Sequence, residues 1–325
     1  MKQRALRKVF VVGCQRSGTS VMQSAIARAA GLYTLRETHY FVHLLGGQDH
    51  WVFDDEALFR RKLRGRLALM RARTYSELRQ DMSELLGDPA LRLRLRPRLT
   101  GAGYVAEFQR LMNAAASHYG TAGWLEKTPW HLPYLDIIRS HIPDARFIHV
   151  ARNGEDVVAS IIDGEMRHFE QRWFLGGLGY AVRLWNRAMQ THLAYAGQPG
   201  HLVLRHEDFV ADPVQTLRRV LQFLDLPADA VDLGTAAPPA AAELAAAPWK
   251  KHWLAGPVTA QRRKFETLMS PPMQQWVKTR LEDYERVSEV LAECLARAGH
   301  ALHEPRSMQG RAAVQGVAFA SGVGR

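Results

Sequence analysis

Eight consecutive residues near the N-terminus, Gly13, Cys14, Gln15, Arg16, Ser17, Gly18, Thr19 and Ser20, combine small side chains, hydroxyls and one guanidinium. Between a strand and a helix, such a run turns backbone N–H groups toward one point, and the helix N-terminus adds partial positive charge. The chemistry it suits is anion binding. Each helix-terminal charge interaction contributes only about 0.3 to 1 kcal/mol, so a full cation, Arg16, is needed as well. A second set stands later in the chain. Arg152 follows the apolar run Arg146 to Val150, and Ser160 lies about two turns along the helix expected next. Ligands of open α/β sheets bind at the carboxyl ends of strands, so Arg152 and Ser160 together can hold a second phosphate. Taken singly, the loop also reads as a tight connection and Arg152 as a surface residue.

The elements that must carry these residues are legible in outline. Val9, Phe10, Val11 and Val12 form a continuous β-branched and aromatic run ending at Gly13, as expected of a strand buried on both faces. Thr19 to Ala30 carries Val21, Met22, Ile26 and Ala29 at helical spacing and stops before Gly31. Further on, Trp124 and Leu125 sit in a short strand candidate, His131 to His141 reads as a helix, and Arg146 to Val150 as a strand with a helix from about Asp156 to Ile162. His201 to Leu204 is another strand, after which Asp212 and Pro213 supply an N-cap and a first-turn proline for a helix over 214–224. Strands alternating with helices argue for an α/β fold, a doubly wound parallel sheet of P-loop type. Residues 42–121 break the rhythm and read as a mainly helical, Arg-rich insertion. Residues 233–248 read as a low-complexity loop and 306–325 as a disordered tail, leaving 1–305 as a single domain.

Composition limits the partners. A chain of 325 residues, 47% hydrophobic, can bury a sizeable core, and a formal net charge of +11 favours anionic ligands. Cys14 and Cys294 are the only cysteines, with no metal-site or disulfide spacing, which fits a reducing, cytoplasmic setting. The basic N-terminus has too short an apolar run for a signal peptide, and no stretch approaches an integral membrane span.

Four motifs occur in one order: Gly13 to Ser20 in the [KR]-S-G-T form; Glu126, Lys127, Thr128, Pro129; Arg152 with Asp156, Val157 and Ser160; and His206, Glu207, Asp208, Phe209, Val210 with Asp212 and Pro213. In this combination the sequence resembles the sulfotransferase family that uses 3′-phosphoadenosine 5′-phosphosulfate (PAPS) as sulfuryl donor. The first motif is similar to that family's 5′-phosphosulfate loop and the third to its 3′-phosphate motif. Asn153 and Gly154 replace the family's common Asp-Pro, and His206 its Tyr. The resemblance covers roughly residues 8–41, 122–165 and 201–227.

The resemblance implies PAPS as co-substrate, no metal, and donor contacts from Arg16, Ser17, Gly18, Thr19, Ser20, Arg152 and Ser160. It also fits the loop's departure from the nucleotide pattern G-x4-G-K-[ST], since Thr19 stands where lysine would contact β and γ phosphates. Glu37, Thr38, His39, Tyr40, Phe41 resembles an E-x-H-F-F segment whose glutamate is the base, which makes Glu37 the expected catalytic base. Lys127 and Arg16 would neutralise charge on the leaving phosphate. His39 either assists the base, orients the acceptor or is structural. Glu126 reads as structural, partnered with an arginine, and the pair Glu207 and Asp208 as a brace or cap. Candidates to complete the donor site near the C-terminus are Trp249, Lys250, Lys251, Arg262, Arg263 and Lys264. The acceptor class stays open among small phenolic molecules, glycans and lipid head groups, shaped by 42–121 and by about 165–185. No nucleic acid is expected, and oligomeric state is not encoded. The alternatives are a P-loop nucleotide or small-molecule kinase, and a basic nucleic-acid or glycan-binding module.

Overall fold

A computed structural model describes residues 5–60, 100–167, 176–228 and 264–290. The centre of the expected insertion, the low-complexity loop, the C-terminal tail, Cys294 and residues 249–251, 262 and 263 lie outside the described residues.

Among the described residues five strands form one parallel sheet: β1 (Arg7–Gly13), β2 (Tyr33–Thr34), β3 (Gly123–Lys127), β4 (Arg146–Ala151) and β5 (His201–Arg205), in the order β2-β3-β1-β4-β5. The unbroken apolar run of β1 is explained by its two covered faces. Phe10 and Val12 face one cluster, Val9 and Val11 the other, and all four are fully buried. The second face is covered by α1 (Thr19–Ala30) through Met22, Ile26 and Ala27. On the first face, Phe10 meets Phe41, Phe108, Trp124 and Phe147 at ring separations of 5.4 to 6.2 Å. Short helices α2 (Tyr40–Leu45) and α3 (Gln48–Val52) follow β2, and α4 (Gly101–His118) leads into β3. Of the segment 42–121, α4 contributes Phe108, Leu111, Met112 and Ala115 to the core.

After β3 comes a 3-10 turn over Pro129–Tyr134, and α5 is confined to Leu135–His141. The helix expected from His131 starts later because Pro133 has no N–H to extend an α-helical ladder. On the same face lie α6 (Gly154–Arg167) and α7 (Gly177–Tyr195), and on the other α8 (His206–Ala211) and α9 (Pro213–Phe223); α10 (Lys264–Leu268) and α11 (Pro271–Lys278) come later in the chain. Asp212 caps α9, its Oδ1 accepting from Gln215 N at 2.9 Å.

Register then decides what meets at the sheet edge. Gly13 lies opposite Val150, and Val11 opposite Lys127. The chain after β1, β3 and β4 therefore leaves from one edge, the carboxyl edge where such sheets bind ligands. Gly13 is required by that closeness, since a Cβ there would sit 2.5 Å from the Val150 carbonyl oxygen. Among the described residues no helix is long and apolar enough to cross a membrane.

Candidate active site

The loop after β1 is wound tightly. Ser17 N donates to Cys14 O at 3.2 Å, Arg16 adopts a positive φ of 68°, and Gly18 one of 85° at the N-cap of α1. A side chain at Gly18 would be strained by that φ, and its Cβ would lie 2.2 Å from the His206 ring. Thr19 and Ser17 are buried, and Ser17 Oγ has no hydrogen-bond partner among the described residues.

Arg152 leaves the neighbouring strand β4 and is 4% exposed. Its Nη1 donates to Arg16 O at 3.4 Å and its Nη2 to Asp156 Oδ2 at 3.1 Å, while Nε has no partner among the described residues. Arg16 Nε donates to Ser160 Oγ at 3.1 Å. The two expected anion sites thus adjoin each other at one sheet edge. Burial pulls the Arg16 pKa below its ordinary value; Asp163 opposes this and Arg152 adds to it. The Arg152 side chain is buried against the backbone of Arg16, whose own residue surface is exposed, so an anion at this place would meet positive charge from both.

Trp185, Tyr284, Asp163 and Arg167, which the motifs did not single out, help to hold this half in place. Trp185 Nε1 donates to Arg152 O at 2.9 Å, and Glu207 accepts from Asn153 N at 2.9 Å and from Tyr284 Oη at 2.7 Å. Glu207 is thus a brace between β4 and the C-terminal region. Lys264 donates to Asp163 Oδ2 at 2.6 Å, on the helix that carries Ser160, and Arg167 Nε donates to Asp163 Oδ1 at 2.7 Å. Burial raises the Asp163 pKa, but these two cations prevail and hold it below the usual carboxylate value.

The second half is built on β3. Lys127 is fully buried, donating to Ser20 Oγ at 3.0 Å and in close contact with Glu37 Oε1. Glu37 Oε2 lies 3.4 Å from His39 Nε2, and the Glu37 side chain is 25% exposed. Burial lowers the His39 pKa from its ordinary value against the pull of Glu37. Lys127 therefore joins the glutamate to the first turn of α1, and through it to the loop after β1. Glu126 does not pair with an arginine as expected. Its carboxylate, fully buried, accepts from the Thr38 and Thr128 hydroxyls at 2.9 and 2.6 Å and meets His131 Nδ1 at 2.8 Å. An arginine would bring a further buried charge; the hydroxyls and imidazole satisfy the carboxylate without one.

Trp124, Trp185 and Trp51 are core residues, and Trp51 and Trp130 line a small apolar cavity beside Cys14 and Gln15 of the loop. Among the described residues there is no group of His, Cys, Asp and Glu side chains that could hold a metal ion.

Residues 8–230 match the model of the sulfotransferase family. A protein-tyrosine sulfotransferase of Drosophila melanogaster is 22% identical over 230 residues, which are 69% of this chain; the match spans 39% of that relative's length. A sulfotransferase structure from Alicyclobacillus acidocaldarius aligns at 17% identity over 81% of this chain and 99% of that one, with a TM-score of 0.39. A sulfotransferase from Mycobacterium avium aligns at 14% identity over 90% and 76%, with a TM-score of 0.44.

Proposed function

Since the chain belongs to the sulfotransferase family, we propose that it transfers a sulfuryl group from PAPS to an acceptor hydroxyl or amine. The observation that carries this reading is the convergence of Arg16 and Arg152 from adjacent parallel strands, Arg16 Nε on Ser160 Oγ at 3.1 Å and Arg152 Nη1 on Arg16 O at 3.4 Å. The donor carries anions at its 5′ and 3′ positions, and the residues fit it: Ser17 Oγ and Arg152 Nε are buried polar atoms without partners among the described residues. Arg16, Ser17, Gly18, Thr19 and Ser20 would hold the 5′ end, and Arg152 with Ser160 the 3′-phosphate.

In the transfer, the acceptor oxygen forms a bond to sulfur as the bond from sulfur to the bridging oxygen breaks, in line, giving the sulfated acceptor and adenosine 3′,5′-bisphosphate. Glu37 takes the acceptor proton. Lys127 and Arg16 stabilise the charge that grows on the departing phosphate, and Ser20 fixes the Lys127 ammonium for that task. His39, beside Glu37, orients the acceptor or the carboxylate. Family membership displaces the kinase and binding-module alternatives. The acceptor is a small molecule, glycan or lipid head group. From the cysteine usage we infer a reducing, cytoplasmic compartment, in keeping with the buried, free Cys14, whose thiol pKa burial pushes up.

The test is calorimetry with adenosine 3′,5′-bisphosphate against ATP with Mg²⁺, followed by labelled PAPS with a panel of glycan, lipid and phenolic acceptors. Binding of the bisphosphate and sulfuryl gain on one acceptor class are expected. Absence of heat with the bisphosphate would overturn the assignment.

A further inference from the structure

Four consecutive backbone N–H groups lead from the glutamate into α2, and each donates to a side chain. Thr38 N donates to Glu126 Oε1 at 3.4 Å, His39 N to Thr128 Oγ1 at 3.2 Å, Tyr40 N to Thr38 Oγ1 at 3.2 Å and Phe41 N to His131 Nε2 at 3.3 Å. The first N–H groups of a helix lack carbonyl partners within it and must find others. Here the acceptors form one buried cluster, because the Thr38 and Thr128 hydroxyls in turn donate to Glu126 Oε1 and His131 Nδ1 meets Glu126 Oε2.

The directions of these bonds are fixed. Each hydroxyl has one proton, which it gives to the carboxylate, so its lone pairs are left to receive the backbone. His131 Nε2 accepts from Phe41 N, so the imidazole proton sits on Nδ1, facing Glu126. A neutral amide in place of the carboxylate would offer His131 a donor or deny the hydroxyls an acceptor. Glu126, Thr128 and His131 are fully buried and Thr38 is 1% exposed, so water cannot replace what is lost. Burial alone would raise the Glu126 pKa; His131 and the hydroxyls hold it below its ordinary value.

The cluster grips the chain on the residue after Glu37. His39 stands at a left-handed φ of 50°, an uncommon conformation for a residue with a side chain. Successive strand residues point to opposite faces, so Glu126 and Lys127 reach the segment from two sides. Lys127 meets the Glu37 carboxylate, and Glu126 the Thr38 backbone and hydroxyl.

We propose that Glu126 and His131 are positioning residues for sulfuryl transfer: they hold the left-handed turn at His39 and thereby aim the Glu37 carboxylate at Lys127 and the acceptor. This rests on the reading of Glu37 as the base. The experiment is a double-mutant cycle of Glu126→Gln with Glu37→Gln, turnover being measured with labelled PAPS and the acceptor that the panel selects. Misplacing a reacting group by about 1 Å can cost about 10²-fold, so kcat of Glu126→Gln should fall by about that factor while calorimetric affinity for adenosine 3′,5′-bisphosphate stays unchanged. In the Glu37→Gln background the second substitution should cost nothing further, because the group it aims is gone. A crystal structure of Glu126→Gln should show Glu37 displaced from Lys127.

Equal losses in both backgrounds, or a loss of bisphosphate affinity in step with kcat, would overturn the proposal while leaving Glu37 as base. Full activity in Glu37→Gln alone would instead remove the base reading, and the proposal with it. Should Glu126→Gln fail to fold, Thr128→Val, which takes away the acceptor of His39 N, enters the same cycle. Thr128→Ser, which keeps the hydroxyl, should restore turnover.

Discussion

Arg16 and Arg152 reach their places on backbone that leaves the sheet directly, one residue or a few beyond β1 and β4, whereas Glu37 meets Lys127 next to a segment, Thr38 to Phe41, that a side-chain cluster from β3 and the turn after it grips. The proposed donor half is positioned by strand register and a glycine turn, and the segment beside the proposed base by buried hydrogen bonds. Register tolerates side-chain change, since backbone carries it; a buried polar cluster does not, since every member left unpaired pays its full desolvation cost.

The largest break of this comparison should come from Glu37→Gln. Turnover should fall by about 10² to 10⁴-fold for a hydroxyl acceptor, the usual share of a general base, with bisphosphate affinity by calorimetry unchanged. Arg152→Ala should do the reverse. Hydrogen bonds to charged groups contribute about 1.5 to 3 kcal/mol, so affinity for adenosine 3′,5′-bisphosphate should weaken by about 10- to 100-fold, with a smaller change in kcat at saturating donor. A kcat loss in Arg152→Ala as large as that of Glu37→Gln would erase the division between the halves.

Acid should separate the halves by stability. His149 on β4 stands 3.0 Å from His192 and 2.9 Å from His201, all three buried. Burial lowers all three pKa values, that of His192 to about 3 and of His201 to about 4, from 6.5. Well above pH 6.5 they are neutral in both folded and unfolded chains. Below it the unfolded chain takes up protons that the fold refuses, so stability falls as pH drops from 6.5 toward 4, by at most about 3 kcal/mol per histidine. A thermal midpoint that declines over this range, with hydrogen exchange rising first in β4 and β5 rather than in α2, is expected. A flat profile would count against neutral buried histidines.

The smallest effect belongs to a site in neither half. Asp212→Ala removes the cap of α9 and should lower stability by about 1 kcal/mol, read by denaturant titration, with kcat and bisphosphate affinity intact.

The two halves also differ in how far they could be read without a structure. Val9 to Gly13, the loop and the start of α1 are contiguous, so periodicity and composition are enough to set strand, turn and helix, and α9 with its Asp212 cap is local in the same way. Two-residue β2 has no periodicity to detect, and Thr34 enters the sheet through long-range partners, its Oγ1 donating to Leu125 O at 2.8 Å. Pro129 and Pro133 mark a turn, but that His131 there would receive Phe41 N from a segment far away in the chain has no local signature. Trp185 under Arg152 and Tyr284 on Glu207 are hidden for the same reason.

Residue order alone was sufficient for the β-loop-α opening and the family, and it singled out Glu37, Lys127, Arg16 and Arg152 as the candidates, because each is written in neighbouring residues. Strand order, the adjacency of Arg16 with Ser160 and the cluster that grips Thr38 to Phe41 beside Glu37 were decided by the tertiary structure. These depend on groups distant in the chain being desolvated together, and a hydrogen bond's partner is chosen by where the fold leaves it unhydrated.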